Sequence, residues 1–224
     1  MSHRLVTLAR PGSPLVLGVN RGGSRADDPD SPFADSEFAR IRPHILKKYD
    51  HTCQFCGFRA TSRQDVHHID GNHRNNKEEN LVVACRLCHL CHHLGFIGAR
   101  DLGTLIICPD LTQAELNNLV RTLWVGKYSN DNDVRTQCAA AYGELLGYGQ
   151  ILTTEYGYES PLQLANDLLS RSPKAYAARA PFLEDIKVVY YERGFKDHIQ
   201  YWLQDCYKQT PASTWLKVAE GLAS

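Results

Sequence analysis

Short apolar runs alternate with polar, turn-forming segments at the start of the chain. Residues 5–8 and 15–19 are apolar and flank Arg10-Pro11-Gly12-Ser13. A Pro-Gly pair between two such runs is typical of a β-hairpin. Residues 20–36 are rich in Gly, Asp, Ser and Pro, which predicts a flexible linker. We therefore expect an N-terminal hairpin and linker over residues 1–36.

A central segment follows, with signals for a helix at each end. Pro43 is tolerated as the first residue of a helix, and the apolar residues after it have helical spacing up to Cys53. Residues 104–108 form a β-type run, and Thr112 with Glu115 fits a capping box for a helix that reaches Trp124. These signals predict a second domain over residues 37–126.

Residues 127–224 have apolar positions at helical spacing almost throughout. The predicted helices cover residues 132–147, 161–170, 173–192, 195–208 and 213–222. Ser160-Pro161 and Ser172-Pro173 are typical of an N-cap followed by a first-position proline. The predicted fold class is α+β, with an N-terminal hairpin, a central module and a mainly helical C-terminal region.

Composition and charge place the chain among soluble globular proteins. Of its 224 residues, 43% are hydrophobic and 22% charged. Since it has neither a long apolar run nor a cleavable leader pattern, we expect a cytoplasmic location. The 25 basic side chains equal the 25 acidic ones, but 14 basic and 10 acidic ones lie in the first hundred residues. The acidic remainder suits a protein partner better than a phosphate backbone.

Cysteines cluster between positions 53 and 91, where their spacing is typical of a zinc site. Cys53 with Cys56 and Cys85 with Cys88 are two C-x₂-C pairs, and each pair can place two thiolates on one tetrahedral Zn²⁺. Gly57 allows the tight turn that such a pair needs. Because Cys88 and Cys91 also have this spacing, Cys91 could replace Cys85.

Histidines and an asparagine lie between and after these pairs. The order is Cys53, Cys56, His67, His68, Asn80, Cys85, Cys88, His89. This order resembles the HNH (ββα-metal) nuclease family, and the resemblance favours Cys85 with Cys88 as the second pair. It implies a structural zinc on the four cysteines, which would hold a module too small to be stable by burial alone.

The same resemblance assigns roles to the other residues. His67 and His89 would bind a catalytic divalent ion (Mg²⁺, Mn²⁺, Ni²⁺ or Zn²⁺), with His93 as a third candidate ligand. His68 would be the general base, and Asn80 would orient the loop that carries it. The alternative is that these histidines are remnants of an ancestral active site and bind no metal. His73 and His92 are expected to be surface residues.

A longer stretch resembles a particular family. Residues 51–60 and 103–117 are similar to the IcmJ/DotN family of type IVB secretion and conjugation systems. The resemblance implies a coupling complex around a membrane-anchored ATPase, so that the expected partners are the coupling ATPase and other subunits of that complex. The protein would reach the inner membrane through such a partner. The best-known member lacks the full set of active-site histidines, whereas this chain keeps His67, His68, Asn80 and His89.

Two functions follow, an adaptor in the coupling complex and a metal-dependent DNA endonuclease. A weaker third is a zinc-dependent DNA-binding module that does not cleave. The nuclease needs phosphate contacts, and a local basic patch could supply them. Its candidate residues are Arg40, Arg42, Lys47, Lys48, Arg59, Arg63, Arg74 and Lys77.

Overall fold

The computed structural model describes residues 14–21, 31–158 and 160–208, together with residues 212 and 215. The chain divides into two compact units, Met1–His93 and Leu94–Ser224. The boundaries expected at residues 36 and 126 stay predictions. Among the described residues, no helix is both long and apolar enough to cross a bilayer.

The first unit contains a strand–strand–helix segment preceded by a long helix. Its elements are α1 (Ser31–Lys48), β1 (Gln64–His68), a 3₁₀ turn (Glu78–Asn80), β2 (Leu81–Cys85) and α2 (Arg86–Leu90). Strands β1 and β2 pair antiparallel, with Gln64 opposite Cys85 and His68 opposite Leu81. This register puts Cys85 at one end of the hairpin and His68 at the other.

Helix α1 begins well before the predicted start at Pro43, which lies inside it. Phe38 and Ile41, upstream of the proline, pack on a core that also contains Ile45 and Val66. These contacts continue the helix through a residue that lacks an amide donor, because apolar burial outweighs one lost hydrogen bond. Residues 31–36 of the predicted linker are therefore helical.

The predicted N-terminal hairpin falls mostly outside the described residues, including its first arm and the Pro-Gly turn. Its second arm, residues 15–19, is described and is not in a strand. The run is nevertheless packed: Leu17 is buried, and the Gly18 amide donates to the carbonyl of Cys91 at 2.8 Å.

The second unit combines helices with one two-stranded sheet. Its elements are α3 (Leu94–Ala99), β3 (Gly103–Ile107), α4 (Gln113–Gly126), α5 (Asn132–Gly147), α6 (Gly149–Tyr156), α7 (Pro161–Ser170), α8 (Pro173–Ala177), β4 (Ile186–Tyr190) and α9 (Lys196–Tyr201), with short 3₁₀ turns at Pro181–Leu183 and Glu192–Gly194 and a π turn at Trp202–Cys206. The capping box of Thr112 and Glu115 is confirmed, as are the N-caps at Ser160 and Ser172. The predicted helix over residues 213–222 lies outside the described residues except for residue 215.

The helix predicted over residues 173–192 is wrong in its second half. Helix α8 ends at Ala177, and Ile186–Tyr190 is strand β4, which pairs antiparallel with β3. Pro181 interrupts a helix, and the β-branched and aromatic residues after it favour a strand. The Gln113 side chain covers the other edge of β4: its amide accepts from the Val188 N–H at 2.8 Å and donates to the Val188 carbonyl at 3.0 Å. The α+β class is confirmed, with two small antiparallel sheets.

Candidate metal centre

Four cysteine sulfurs converge in the first unit. The Sγ atoms of Cys53, Cys56, Cys85 and Cys88 all lie within 4.8 Å of one another, and those of Cys56 and Cys85 are 3.7 Å apart. A tetrahedral zinc with bonds of about 2.3 Å separates its sulfurs by about 3.8 Å. The spacing of these donors therefore fits a zinc ion.

Local backbone geometry brings the two pairs together. The Cys53 amide donates to the Phe58 carbonyl at 2.9 Å, and the Gly57 amide donates back to the Cys53 carbonyl at 2.9 Å. Gly57 has φ +75°, the left-handed region that glycine tolerates best. Cys85 ends β2 and is the N-cap of α2, so Cys88 lies one helical turn further on.

Cys91 is not one of the four converging sulfurs. Its buried thiol donates to the Leu87 carbonyl one turn back along the chain, at 3.3 Å. Of the two pairings that the spacing allows, the structure brings Cys85, and not Cys91, to the group with Cys88.

The electrostatics of this cluster favour a bound cation. Hydrogen bonds with Cys53, Cys56 and Cys85, together with burial, raise the pKa of the Cys88 thiol well above its usual range. Four thiolates this close repel one another strongly in a buried site. A divalent cation removes that repulsion and deprotonates the thiols that bind it.

A second donor cluster consists of imidazoles. One ring nitrogen from each of His67, His89 and His93 lies within 4.8 Å of the others, and the Nε2 atoms of His89 and His93 are 3.3 Å apart. His67 comes from β1, and His89 and His93 from α2 and the turn after it. Three imidazole nitrogens with this convergence suit a first-row transition ion.

Asp65 orients one of these imidazoles. Its Oδ2 lies 3.0 Å from Nδ1 of His89 and 3.4 Å from the Arg86 guanidinium. Since a carboxylate only accepts, Nδ1 of His89 is the donor to Asp65, and in the neutral ring this leaves the lone pair on Nε2, the nitrogen that lies near His93. Burial raises the pKa of Asp65, but the hydrogen bonds and the electrostatic attraction of His89 and Arg86 together outweigh it and keep that pKa below the usual value.

The other two rings are neutral near pH 7, as a metal ligand must be. Burial lowers the pKa of His93 to about 4, and the positive charges of Arg86 and of the protonated form of His89 lower it further. Burial, followed by the neighbouring histidines, also lowers the pKa of His67 strongly. Both rings therefore present lone pairs without losing a proton first.

His92 was expected at the surface and this expectation is wrong. The ring is half-buried and stacks on His67, with centroids 4.1 Å apart and planes 15° apart. It packs against a candidate ligand, although it is not one of the three residues whose nitrogens converge.

His68 lies apart from the imidazole cluster. Successive residues of a strand point to opposite faces, so His67 and His68 diverge. The buried His68 ring lies 5.1 Å from the Phe38 ring of α1, and its Nε2 is 2.9 Å from Oδ1 of Asn76. Its role as a general base stays a prediction.

Asn80 holds the turn that follows His68. Its side-chain oxygen accepts from the Asp70 amide at 3.1 Å, and its side-chain nitrogen donates to Asp70 Oδ1 at 2.9 Å and to the Asn75 carbonyl at 2.8 Å. Its own backbone carbonyl accepts from the Ile69 amide at 2.9 Å. These bonds suit the expected orienting role of Asn80, which stays a prediction.

Asp65 is a residue of this site that the order of cysteines and histidines does not include, although the sequence carries a signal for it. Residues 65 and 67 are two positions apart on β1 and therefore share a face. A carboxylate two residues before a candidate ligand, on the same face of a strand, is a natural partner for another ligand of the same site.

Replacing Asp65 by alanine should weaken binding of a divalent ion at His67, His89 and His93 about 10–100-fold, the usual effect of losing such an outer partner. Calorimetric titration of zinc-loaded protein with Ni²⁺ measures this directly. Asp65→Asn is the matched control, because its amide oxygen still accepts from Nδ1 of His89, and it should lose less. Equal Ni²⁺ affinity in wild type and Asp65→Ala would contradict the assignment.

The chain is similar in sequence to two kinds of known protein. The type 4 apparatus protein DotN of Legionella pneumophila is 30% identical over 172 residues, which cover 75% of this chain and 80% of DotN. YajD of Escherichia coli K12, provisionally named an HNH nuclease, is 31% identical over 81 residues, 34% of this chain and 70% of YajD. No protein-family model matches the chain. Since the similarity to DotN extends over four fifths of that protein at this identity, the chain belongs to the IcmJ/DotN family.

Proposed function

We propose that this protein is a zinc-binding adaptor in the coupling complex of a type IVB secretion or conjugation system. The observation that carries the proposal is its membership of the DotN family over most of the chain. A coupling ATPase and other subunits of that complex are its partners, and it acts at the cytoplasmic face of the inner membrane, where a partner recruits it.

The first unit is an HNH nuclease-like module in this proposal, and zinc is its structural staple. Its support is the strand–strand–helix order, the four converging sulfurs and the similarity to YajD. The zinc would be held by Cys53, Cys56, Cys85 and Cys88. A staple of this kind replaces the large core that a small module lacks.

The charge distribution favours a protein partner over a nucleic acid. Several residues of the candidate basic patch are already engaged within the unit. Lys48 pairs with Glu78 at 2.6 Å, and Arg59 pairs with Asp50 at 2.9 Å. The Arg42 guanidinium donates to the Gln64 carbonyl at 2.7 Å. Cations that are already paired contribute less to phosphate binding, which depends on the charge they neutralise.

The adaptor is tested by purifying the tagged protein from its own cells and identifying what comes with it by mass spectrometry. We expect to recover a coupling ATPase with the wild-type protein. The His68→Ala variant should recover the same amount, because His68 is not one of the four zinc ligands. Recovery of the folded, zinc-loaded protein without the ATPase would reject the adaptor.

A metal-dependent DNA endonuclease is the second candidate function, and the convergence of His67, His89 and His93 favours it. A divalent ion at that cluster would stabilise the negative charge that develops on a scissile phosphate. His68 would serve as the general base, with Asn80 holding its loop.

Plasmid nicking in the presence of Mg²⁺, Mn²⁺, Ni²⁺ or Zn²⁺ tests this candidate. Loss of a general base typically slows a reaction about 10²–10⁴-fold, and we expect that loss in His68→Ala. Undiminished nicking by this variant would reject His68 as the base. Retention of DNA without nicking would instead point to a DNA-binding module.

A further inference from the structure

Three side chains from three parts of the first unit form a chain of hydrogen bonds that ends on His68. Asn76 Nδ2 donates to Oε2 of Glu37 at 2.9 Å, and Asn76 Oδ1 lies 2.9 Å from Nε2 of His68. Glu37 comes from α1, Asn76 from the connection between β1 and β2, and His68 from the end of β1. Asn76 and His68 are buried, whereas Glu37 is exposed.

The carboxylate fixes the direction of every bond in this chain. An ionised Glu37 can only accept, so the Asn76 amide must turn its NH₂ group toward it. The amide oxygen then faces His68, and that oxygen also only accepts. Nε2 of His68 must therefore be the donor, because two acceptors in contact would repel each other.

The position of the ring is held by the same helix that supplies the carboxylate. Phe38 follows Glu37 in α1, and its ring lies 5.1 Å from that of His68 with 33° between the planes. A ring flip would bring a carbon atom to the Asn76 oxygen and lose the hydrogen bond. Burial makes that loss costly, since the amide oxygen has little access to water.

We propose that Glu37 and Asn76 are positioning residues that keep the proton of neutral His68 on Nε2 and so make Nδ1 its basic nitrogen. The inference rests on the nuclease as the second proposed function, for which it names the atom that accepts a proton from water. Helix α1 lies outside the strand–strand–helix segment, and in this proposal it contributes Glu37 to the site around His68.

Nitrogen-detected NMR of the zinc-loaded protein tests the proposal without DNA or a second ion. Histidine labelled with ¹⁵N distinguishes a protonated from an unprotonated ring nitrogen, and His68→Ala assigns the signals. Above neutral pH we expect wild-type His68 to carry its proton on Nε2. A spectrum with the proton on Nδ1 would overturn the proposal.

Glu37→Gln is the decisive variant, because glutamine can donate as well as accept. The Asn76 amide is then free to turn its NH₂ group toward His68, and the proton should move to Nδ1 in a large fraction of molecules. Glu37 is exposed, so the variant should fold. Glu79 is an exposed carboxylate on the connection between β1 and β2, which also carries Asn76. Glu79→Gln is therefore the matched control for lost charge and should leave the spectrum unchanged. An unchanged His68 in Glu37→Gln would remove Glu37 from the role.

Nicking kinetics separate this inference from the function it deepens. If wild type nicks DNA, Glu37→Gln should lower kcat roughly tenfold or more with an unchanged KM, since it alters the base and not the substrate contacts. If wild type does not nick under any of the four ions, the nuclease is rejected, and the spectrum alone decides the positioning of the proton.

Discussion

Replacing Cys88 by serine should strip the structural zinc and unfold the first unit. Cys88 is fully buried, and its sulfur is one of the four that converge among the described residues. One apolar cluster of this unit has Ile45, Val66, Leu81 and Val83 as its buried members. Structural zinc contributes about 10–16 kcal/mol of apparent binding energy in small domains near pH 7, which is as large as the whole net stability of a typical domain, about 5–15 kcal/mol.

The measurement is zinc content by mass spectrometry, together with circular dichroism and thermal unfolding of the same preparation. We expect about one zinc fewer per chain and loss of the cooperative transition that belongs to the first unit. Prolonged treatment of wild type with a strong chelator should give the same result.

Cys91→Ser is the matched control for this experiment. Cys91 is buried like Cys88 and lies on the same stretch of chain, but its sulfur bonds to the Leu87 carbonyl instead of joining the cluster. A serine hydroxyl can donate to the same carbonyl, so zinc content should stay at the wild-type value. Cys88 is a ligand in both possible pairings, so Cys85→Ser is the variant that separates them. Loss of zinc in Cys91→Ser with retention in Cys85→Ser would put Cys91 in the place of Cys85.

Local signals are the part of this fold that the sequence predicts well. The two C-x₂-C pairs, the capping box at Thr112 and the N-caps at Ser160 and Ser172 each depend on residues a few positions apart. Their geometry is decided by short-range backbone chemistry, and the structure has all of them. The left-handed Gly57 belongs to the same class.

Long-range contacts explain the predictions that failed. Strand β4 forms because β3, far earlier in the chain, offers it a partner, and Gln113 covers its other edge. Helix α1 extends through Pro43 because Phe38 and Ile41 find a core built by β1 and β2. In each case the contact that decides the structure is made by residues distant in sequence. The periodicity of the segment alone therefore predicts the wrong element or the wrong boundary.

In the candidate site, too, the sequence predicts the local signals but not the long-range contacts. The order of cysteines and histidines indicates which residues matter, but not which of them share a face. The two-residue period of β1 separates His67 from His68 and brings Asp65 to the face of His67. Stacking of His92 on His67 depends on how α2 and the turn after it fold over that strand, which no spacing rule conveys.

His67→Ala should abolish tight binding of a second divalent ion and leave the structural zinc in place. His67 is the only one of the three converging imidazoles that comes from β1, so its loss leaves two ligands on a single turn. Losing a direct ligand should cost more than the 10–100-fold typical of an outer partner, and therefore more than Asp65→Ala. Calorimetric titration with Ni²⁺ measures the affinity, and mass spectrometry of the dialysed protein measures the number of ions retained.

His92→Ala is the matched control, since it removes an imidazole that touches His67 without taking a nitrogen from the cluster. It should lower the affinity for Ni²⁺ only slightly, through looser packing of the His67 ring. If wild type and His67→Ala both retain one zinc and neither binds a further ion, the imidazoles form no metal site and the nuclease candidate fails. The adaptor does not depend on those imidazoles, so partner recovery with His67→Ala should then equal that of wild type.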